Sequence, residues 1–311
     1  KAVRACACGG CEHWTVTRPA CCIARSQPVS AKPKGRARGT AAVDQGNHLM
    51  PRRIILHTGF HKTGTTSLTA TLRANRPALK PYVAMRLPPQ MRELISATRG
   101  YSTWRDPLTL IKAEIRFRAL LDGLPSMPRR TLIITSEELG GHLPGRGDLK
   151  DYGAMPEILY QFWSIAREKF SGVDIQVYLS TRGQRDWLES AYWQHVKSSS
   201  MTLDLDVYLE RYHESGNLGY IADQIASRVP CPVHCTALEE SRLRPLGPAD
   251  PLLDLCDIPD ALRHTLIPGA AQNIRPDPQT LMALLDVNRT VKDQAERVAT
   301  KNAILAKAGM K

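Results

Sequence analysis

The sequence predicts an α/β protein, a three-layer sandwich with a central, mostly parallel sheet. Short apolar runs alternate with longer stretches of helical period along most of the chain, the pattern of strands covered by helices on both faces. The first strong run, Arg53 to His57, also leads through a short loop holding Gly59 and Gly64 into a stretch of helical period.

Each element has its own signal. Arg53 to His57, Thr131 to Thr135 and Asp174 to Ser180 concentrate β-branched and apolar residues and read as strands. A short strand at Val83 to Met85 and a weaker one from Pro232 to Ala237 extend the sheet. Apolar residues recur every three or four positions over Thr65 to Asn75, Leu108 to Leu121, Pro156 to Lys169, Gln184 to Lys197 and Gln279 to Ala299, which predicts helices there. The segment from Lys80 to Tyr101 is otherwise too irregular to assign, and no internal repeat is present.

Composition narrows the function classes. A chain of 311 residues with 42% hydrophobic content has room for one substantial core. No apolar run reaches the roughly eighteen residues of a membrane span, and no apolar segment of a secretory signal opens the chain, so a cytoplasmic location is expected. The net charge of +12 is uneven, because residues 1–49 hold eight Lys/Arg against two acids. From Met50 onward the milder basic excess suits an enzyme with an anionic ligand. A nucleic-acid partner is not expected, since neither a basic stripe nor a binding module is present.

The first forty-nine residues read as a basic, Cys-containing, disordered leader, with the folded domain expected over 50–311. Cys6, Cys8, Cys11 and His13 have the residue types of a zinc site, but no paired second knuckle follows at the usual spacing. The stretch Ala-Lys-Pro-Lys-Gly-Arg-Ala-Arg-Gly-Thr that comes after has a linker's composition. No metal site is therefore predicted.

The loop in Ile-Ile-Leu-His-Thr-Gly-Phe-His-Lys-Thr-Gly-Thr-Thr-Ser-Leu, residues 54–68, carries the chemistry. This P-loop-like strand, loop and helix present free backbone N–H groups and the positive end of a helix dipole to an anion. A nucleoside-triphosphate loop places its lysine directly after the second glycine. Here Thr65 holds that position and Lys62 lies within the loop. A lysine so displaced sits beside a first phosphate and the group that phosphate carries, which suits a nucleotide with one activated 5′-phosphate.

At these residues the chain resembles the PAPS-dependent sulfotransferases, soluble bacterial-type members included, which use 3′-phosphoadenosine 5′-phosphosulfate (PAPS) as donor. Lys-Thr-Gly-Thr-Thr after an apolar strand looks like their 5′-phosphosulfate loop, which implies that His61, Lys62, Thr63, Gly64, Thr65 and Thr66 bind the donor. The family holds the 3′-phosphate with an arginine at the end of a later strand and a serine eight residues on. Here Val-Tyr-Leu-Ser-Thr-Arg-Gly-Gln-Arg-Asp-Trp-Leu-Glu-Ser places Arg182 and Ser190 at those positions. An arginine fork matches phosphate oxygens, and a serine hydroxyl adds one hydrogen bond. Asn273 and Arg275 are candidates for a C-terminal loop over the same phosphate, but the Arg-Lys-Gly signature of the cytosolic members is absent.

In-line sulfuryl transfer needs positioning, a cation for the departing phosphate and a base for the acceptor proton. Lys62 is the expected cation, and no metal is required. The family's base is a histidine or glutamate near a central strand's end, and Glu137 is the first choice, with Glu138, His61, His142 and His195 as rivals. The acceptor bears a hydroxyl, a saccharide among the candidates, because Tyr101, Trp104, Tyr192 and Trp193 offer stacking surfaces if they are not packed in the core. The segment from Ser198 to Gly219 is expected as a helical lid or acceptor wall. A P-loop small-molecule kinase and a non-catalytic nucleotide-binding protein are the alternatives, and oligomeric state is not legible.

Overall fold

The computed structural model describes residues 50–145, 148–269 and 277–310. The expectations for the leader, including Cys6, Cys8, Cys11 and His13, and for Asn273 and Arg275 lie outside the described residues.

Strands β1 (Arg53–His57), β2 (Val83–Arg86), β3 (Thr131–Thr135), β4 (Asp174–Thr181) and β5 (Val233–Ala237) form one sheet in the order β2-β3-β1-β4-β5. The sheet is parallel at every pairing, beyond the mostly parallel arrangement expected. Helices of seven residues or more are α1 (Thr65–Ala74), α2 (Arg92–Trp104), α3 (Pro107–Asp122), α4 (Met155–Lys169), α5 (Gln184–Ser198), α6 (Leu205–Arg211), α7 (Leu218–Arg228), α8 (Pro278–Thr290) and α9 (Gln294–Lys307).

Strand alternation divides the core in two. Ile54, Leu56, Leu132, Ile134, Val177 and Leu179 pack in the larger cluster with α4 and α5, while Ile55, Ile133 and Tyr178 point the other way, toward Leu68 and Leu72 of α1. That is the three-layer arrangement. Apolar runs are near-continuous in β1 and β3 because both faces of these inner strands are covered.

Two local expectations change. Besides the expected β2, the irregular stretch from Lys80 to Tyr101 holds most of α2, whose start after Met91 lacks a side-chain cap. The single helix predicted from Gln279 to Ala299 is two. The break falls at Val291 to Asp293, where the Asp293 carboxylate accepts from the Glu296 N–H at 2.8 Å and starts a new helix. Lys301, buried on α9, donates to the carbonyls of Val196 and Ser199 at 2.6 and 2.7 Å, tying α9 to the end of α5. No helix among the described residues is long and apolar enough to cross a membrane.

The sheet order sets the site. β3 and β4 flank β1, so the chain following all three emerges along one edge, at the carboxyl ends where parallel sheets bind ligands.

Candidate active site

Beyond His57 the chain turns through the loop and enters α1 at Thr65. Gly64 precedes the helix at φ 93°, a conformation that favours glycine. A Cβ there would lie 2.8 Å from Leu238 Cδ1 and 2.9 Å from Pro248 Cγ. Lys62 adopts φ 66°, which strains a side-chain-bearing residue by about 1–2 kcal/mol.

The loop is pinned from three sides. The His61 N–H donates to the Tyr152 hydroxyl at 3.1 Å, Trp187 Nε1 donates to the His61 carbonyl at 2.8 Å, and Arg182 Nη1 donates to the Lys62 carbonyl at 3.3 Å. Thr63 works from below, donating to the Phe60 carbonyl at 2.6 Å and bonding the Ser180 hydroxyl of β4 at 2.7 Å. Its side chain is buried and engaged on both sides, so it anchors the loop and does not line the cleft.

A cleft of about 720 Å³ opens above the loop. His61, Lys62, Gly64, Thr65 and Thr66 line it from the loop, Glu137 from the end of β3, and Arg182 and Ser190 from β4 and α5. Sequence reasoning missed Gln194, which receives the Lys62 Nζ hydrogen at 3.2 Å and stands one helical turn beyond Ser190. That i, i+4 spacing was the available signal. Arg242, also on the wall, follows the turn after β5 and has no comparable signal.

Burial sets the charges. Desolvation lowers the Lys62 pKa while the Glu137 carboxylate pulls it up. Glu137 is the mirror case, raised chiefly by burial and drawn down by Lys62, by the nearby Thr65 hydroxyl and by Arg99. Each holds the other's charge in a half-buried setting. Glu138 is ion-paired with Arg99 of α2, so the adjacent carboxylates have different partners.

The histidines differ as well. Desolvation, assisted by Arg99, His142 and Lys62, brings His61 down to about 3. Its Nδ1 lies 2.9 Å from the Tyr152 hydroxyl. A neutral ring of such low basicity is a poor proton acceptor. His195 is buried, donates from Nε2 to the Pro144 carbonyl at 2.8 Å and also lines the cleft. His142 borders the cleft.

The polar atoms around the loop fit an anion. Thr65 Oγ1 borders the cleft beside Glu137, whereas Thr58 Oγ1 and His57 Nε2 are buried and do not line it. Thr65 also opens α1, whose first N–H groups have no partner within the helix. A phosphate oxygen at the first turn of α1 would take up these N–H groups and lie beside the Thr65 hydroxyl.

The proposed acceptor elements separate. Tyr192 is buried against Tyr208, and Trp193 packs on the core, so neither offers a free face. Tyr101 is partly buried on the same core, whereas Trp104 is 76% exposed. Within the segment from Ser198 to Gly219, Ser198 and Ser199 line the cleft, but Tyr208 of α6 is fully buried, which makes α6 part of the wall's foundation instead of a lid.

No protein-family model and no curated protein matches the chain. Among solved structures it is similar to a sulfotransferase from Alicyclobacillus acidocaldarius, at 14% identity over 84% of this chain and 97% of that one, with a TM-score of 0.42. It is also similar to a chain from the PezAT chromosomal toxin-antitoxin system of Streptococcus pneumoniae, at 14% identity over 82% of this chain and 88% of that one, with a TM-score of 0.30.

Proposed function

We propose that the cleft binds 3′-phosphoadenosine 5′-phosphosulfate and that the protein moves its sulfuryl group to a hydroxyl-bearing acceptor. One observation carries the reading: Lys62, in a loop where a triphosphate-binding lysine would not be, shares a single cleft with Arg182 and Ser190. The loop end of α1 beside Lys62 suits a 5′-phosphosulfate, and Arg182 with Ser190 suits a 3′-phosphate.

In this reading the first N–H groups of α1 and the Thr65 and Thr66 hydroxyls hold the 5′-phosphate, and Arg182 and Ser190 hold the 3′-phosphate. The acceptor oxygen bonds to sulfur as the bond from sulfur to the bridging oxygen breaks. The bridging oxygen keeps the electron pair beside the Lys62 ammonium, and the hydroxyl proton passes to Glu137. Burial suits Glu137 to this task by raising its basicity, while Lys62 keeps it ionised and ready.

Titration calorimetry with adenosine 3′,5′-bisphosphate and adenosine 5′-phosphate tests the donor assignment. A clear preference for the bisphosphate, without magnesium, is expected, and equal affinities would overturn it.

A further inference from the structure

A second cleft, about 930 Å³, opens beside the first and shares Arg99 and His142 with it. Its walls come from the end of α2 and from residues 148–151. Thr103, Asp148, Lys150 and Asp151 supply hydroxyl, carboxylate and ammonium groups, and Arg105 stands 4.0 Å from Asp151. Mixed donors and acceptors in a concave site suit a headgroup with several hydroxyls. Trp104 forms part of the wall and is 76% exposed.

The chain leaving this cleft carries a second feature. Asp106 caps α3 by accepting from the Leu108 N–H at 2.9 Å, so the helix starts directly after the cleft wall. Leu108, Ile111 and Ile115 are 72%, 48% and 57% exposed. Their i, i+3, i+7 spacing puts them on one face, opposite the buried Ala113, Phe117 and Leu121. Single exposed apolar residues are ordinary, but an aligned row that begins four residues after a cleft's exposed tryptophan is not. From Leu108 to Ile115 the helix rises roughly 10 Å, the span of a medium-length alkyl chain.

Resting on the sulfuryl-transfer reading, we infer that the acceptor is an amphiphile. Its hydroxylated headgroup enters the second cleft, next to the donor site at Arg99 and His142. Its apolar chain lies along Trp104, Leu108, Ile111 and Ile115. Burying that chain on the row supplies affinity, and the polar cleft selects the headgroup.

The probes are octyl and dodecyl maltoside below their micelle concentrations, and dodecyl dimethylamine oxide as a tail without a sugar, each titrated calorimetrically. Wild type should bind dodecyl maltoside at least about tenfold more tightly than either of the other two. The double substitution Ile111→Ser, Ile115→Ser should weaken dodecyl maltoside binding by about tenfold and leave adenosine 3′,5′-bisphosphate affinity unchanged. Both positions are exposed, and the unchanged nucleotide titration reports an intact fold. Equal binding of dodecyl maltoside by wild type and variant, or equal binding of the maltoside and the amine oxide, would overturn the amphiphile inference alone. The nucleotide preference of wild type reads the donor site separately.

Discussion

Arg182 donates from Nη1 to the Lys62 carbonyl at 3.3 Å, so the arginine after β4 also braces the loop after β1. Arg182 therefore has two tasks, while Ser190 has one. Ser190→Ala should weaken adenosine 3′,5′-bisphosphate by about 1 kcal/mol and leave adenosine 5′-phosphate unchanged. Arg182→Ala should lose about 1.5–3 kcal/mol for the bisphosphate and a smaller amount for the monophosphate, because the loop relaxes. Calorimetric titration of both variants with both nucleotides makes the comparison, and a Ser190→Ala loss that is equal for the two ligands would remove the 3′-phosphate contact.

Lys62 combines charge with an unfavourable backbone conformation, and two substitutions separate them. Lys62→Ala should lower kcat by on the order of a hundredfold or more, with a smaller effect on donor affinity. Lys62→Gly removes the same charge but accepts φ 66° without strain, so it should be as inactive yet melt no lower than wild type. Thermal melting beside steady-state rates decides it, and wild-type turnover in either variant contradicts the assigned role.

The neighbouring carboxylates should separate in the same way. Glu137→Gln should retain fold and donor affinity while losing most turnover, whereas Glu138→Gln should mainly weaken the attachment of α2 through Arg99. A general base acts when deprotonated, so kcat should rise with pH through the Glu137 pKa, which burial sets above the ordinary carboxylate range. The acidic limb of the wild-type profile should accordingly sit higher than an exposed glutamate's. Should only the Glu138 variant lose activity, the base assignment passes to Glu138.

Acid should destabilise the fold through its buried histidines. His57 and His61 fall from 6.5 to about 3 because burial disfavours their charged forms. Between those values the unfolded chain binds more protons than the native one, so stability declines as pH drops through that window, by up to about 1.4 kcal/mol per pH unit for each histidine. His57→Asn keeps a polar group facing Thr135 but cannot titrate. Denaturant melts from pH 7 to 4 should show a shallower slope in this variant, and an unchanged slope would exclude His57 as a contributor.

Gly64→Ala is expected to cost about 1–3 kcal/mol, because the conformation at φ 93° resists a side chain. The added methyl group would also press on Leu238 and Pro248. A melting temperature equal to wild type would show that the loop has room to shift.

The strands and most helices were legible in the sequence because their signals are local. Buried parallel strands must be apolar on both faces, so Ile-Ile-Leu and Leu-Ile-Ile announced β1 and β3 directly. The anion-binding loop was equally local, since Gly59, Gly64 and Lys62 lie within six residues. Where such signals weaken, the reading failed: α2 starts without a side-chain cap, and the α8–α9 break depends on Asp293 capping a helix within a continuous apolar rhythm.

Tertiary structure alone decided which side chains face the cleft. Thr63 and Thr65 are both threonines of one short loop, yet Thr63 is tied to Ser180 beneath it and Thr65 borders the cleft. Glu137 and Glu138 both line the cleft, but Arg99, nearly forty residues earlier, forms its ion pair with Glu138. Arg242 reaches the same wall from beyond β5. A sequence specifies periodicity and turn chemistry within a few residues. Which partner waits above or below a loop is set by the order β2-β3-β1-β4-β5, which brings separate segments to one sheet edge and lets burial divide them into anchors and site.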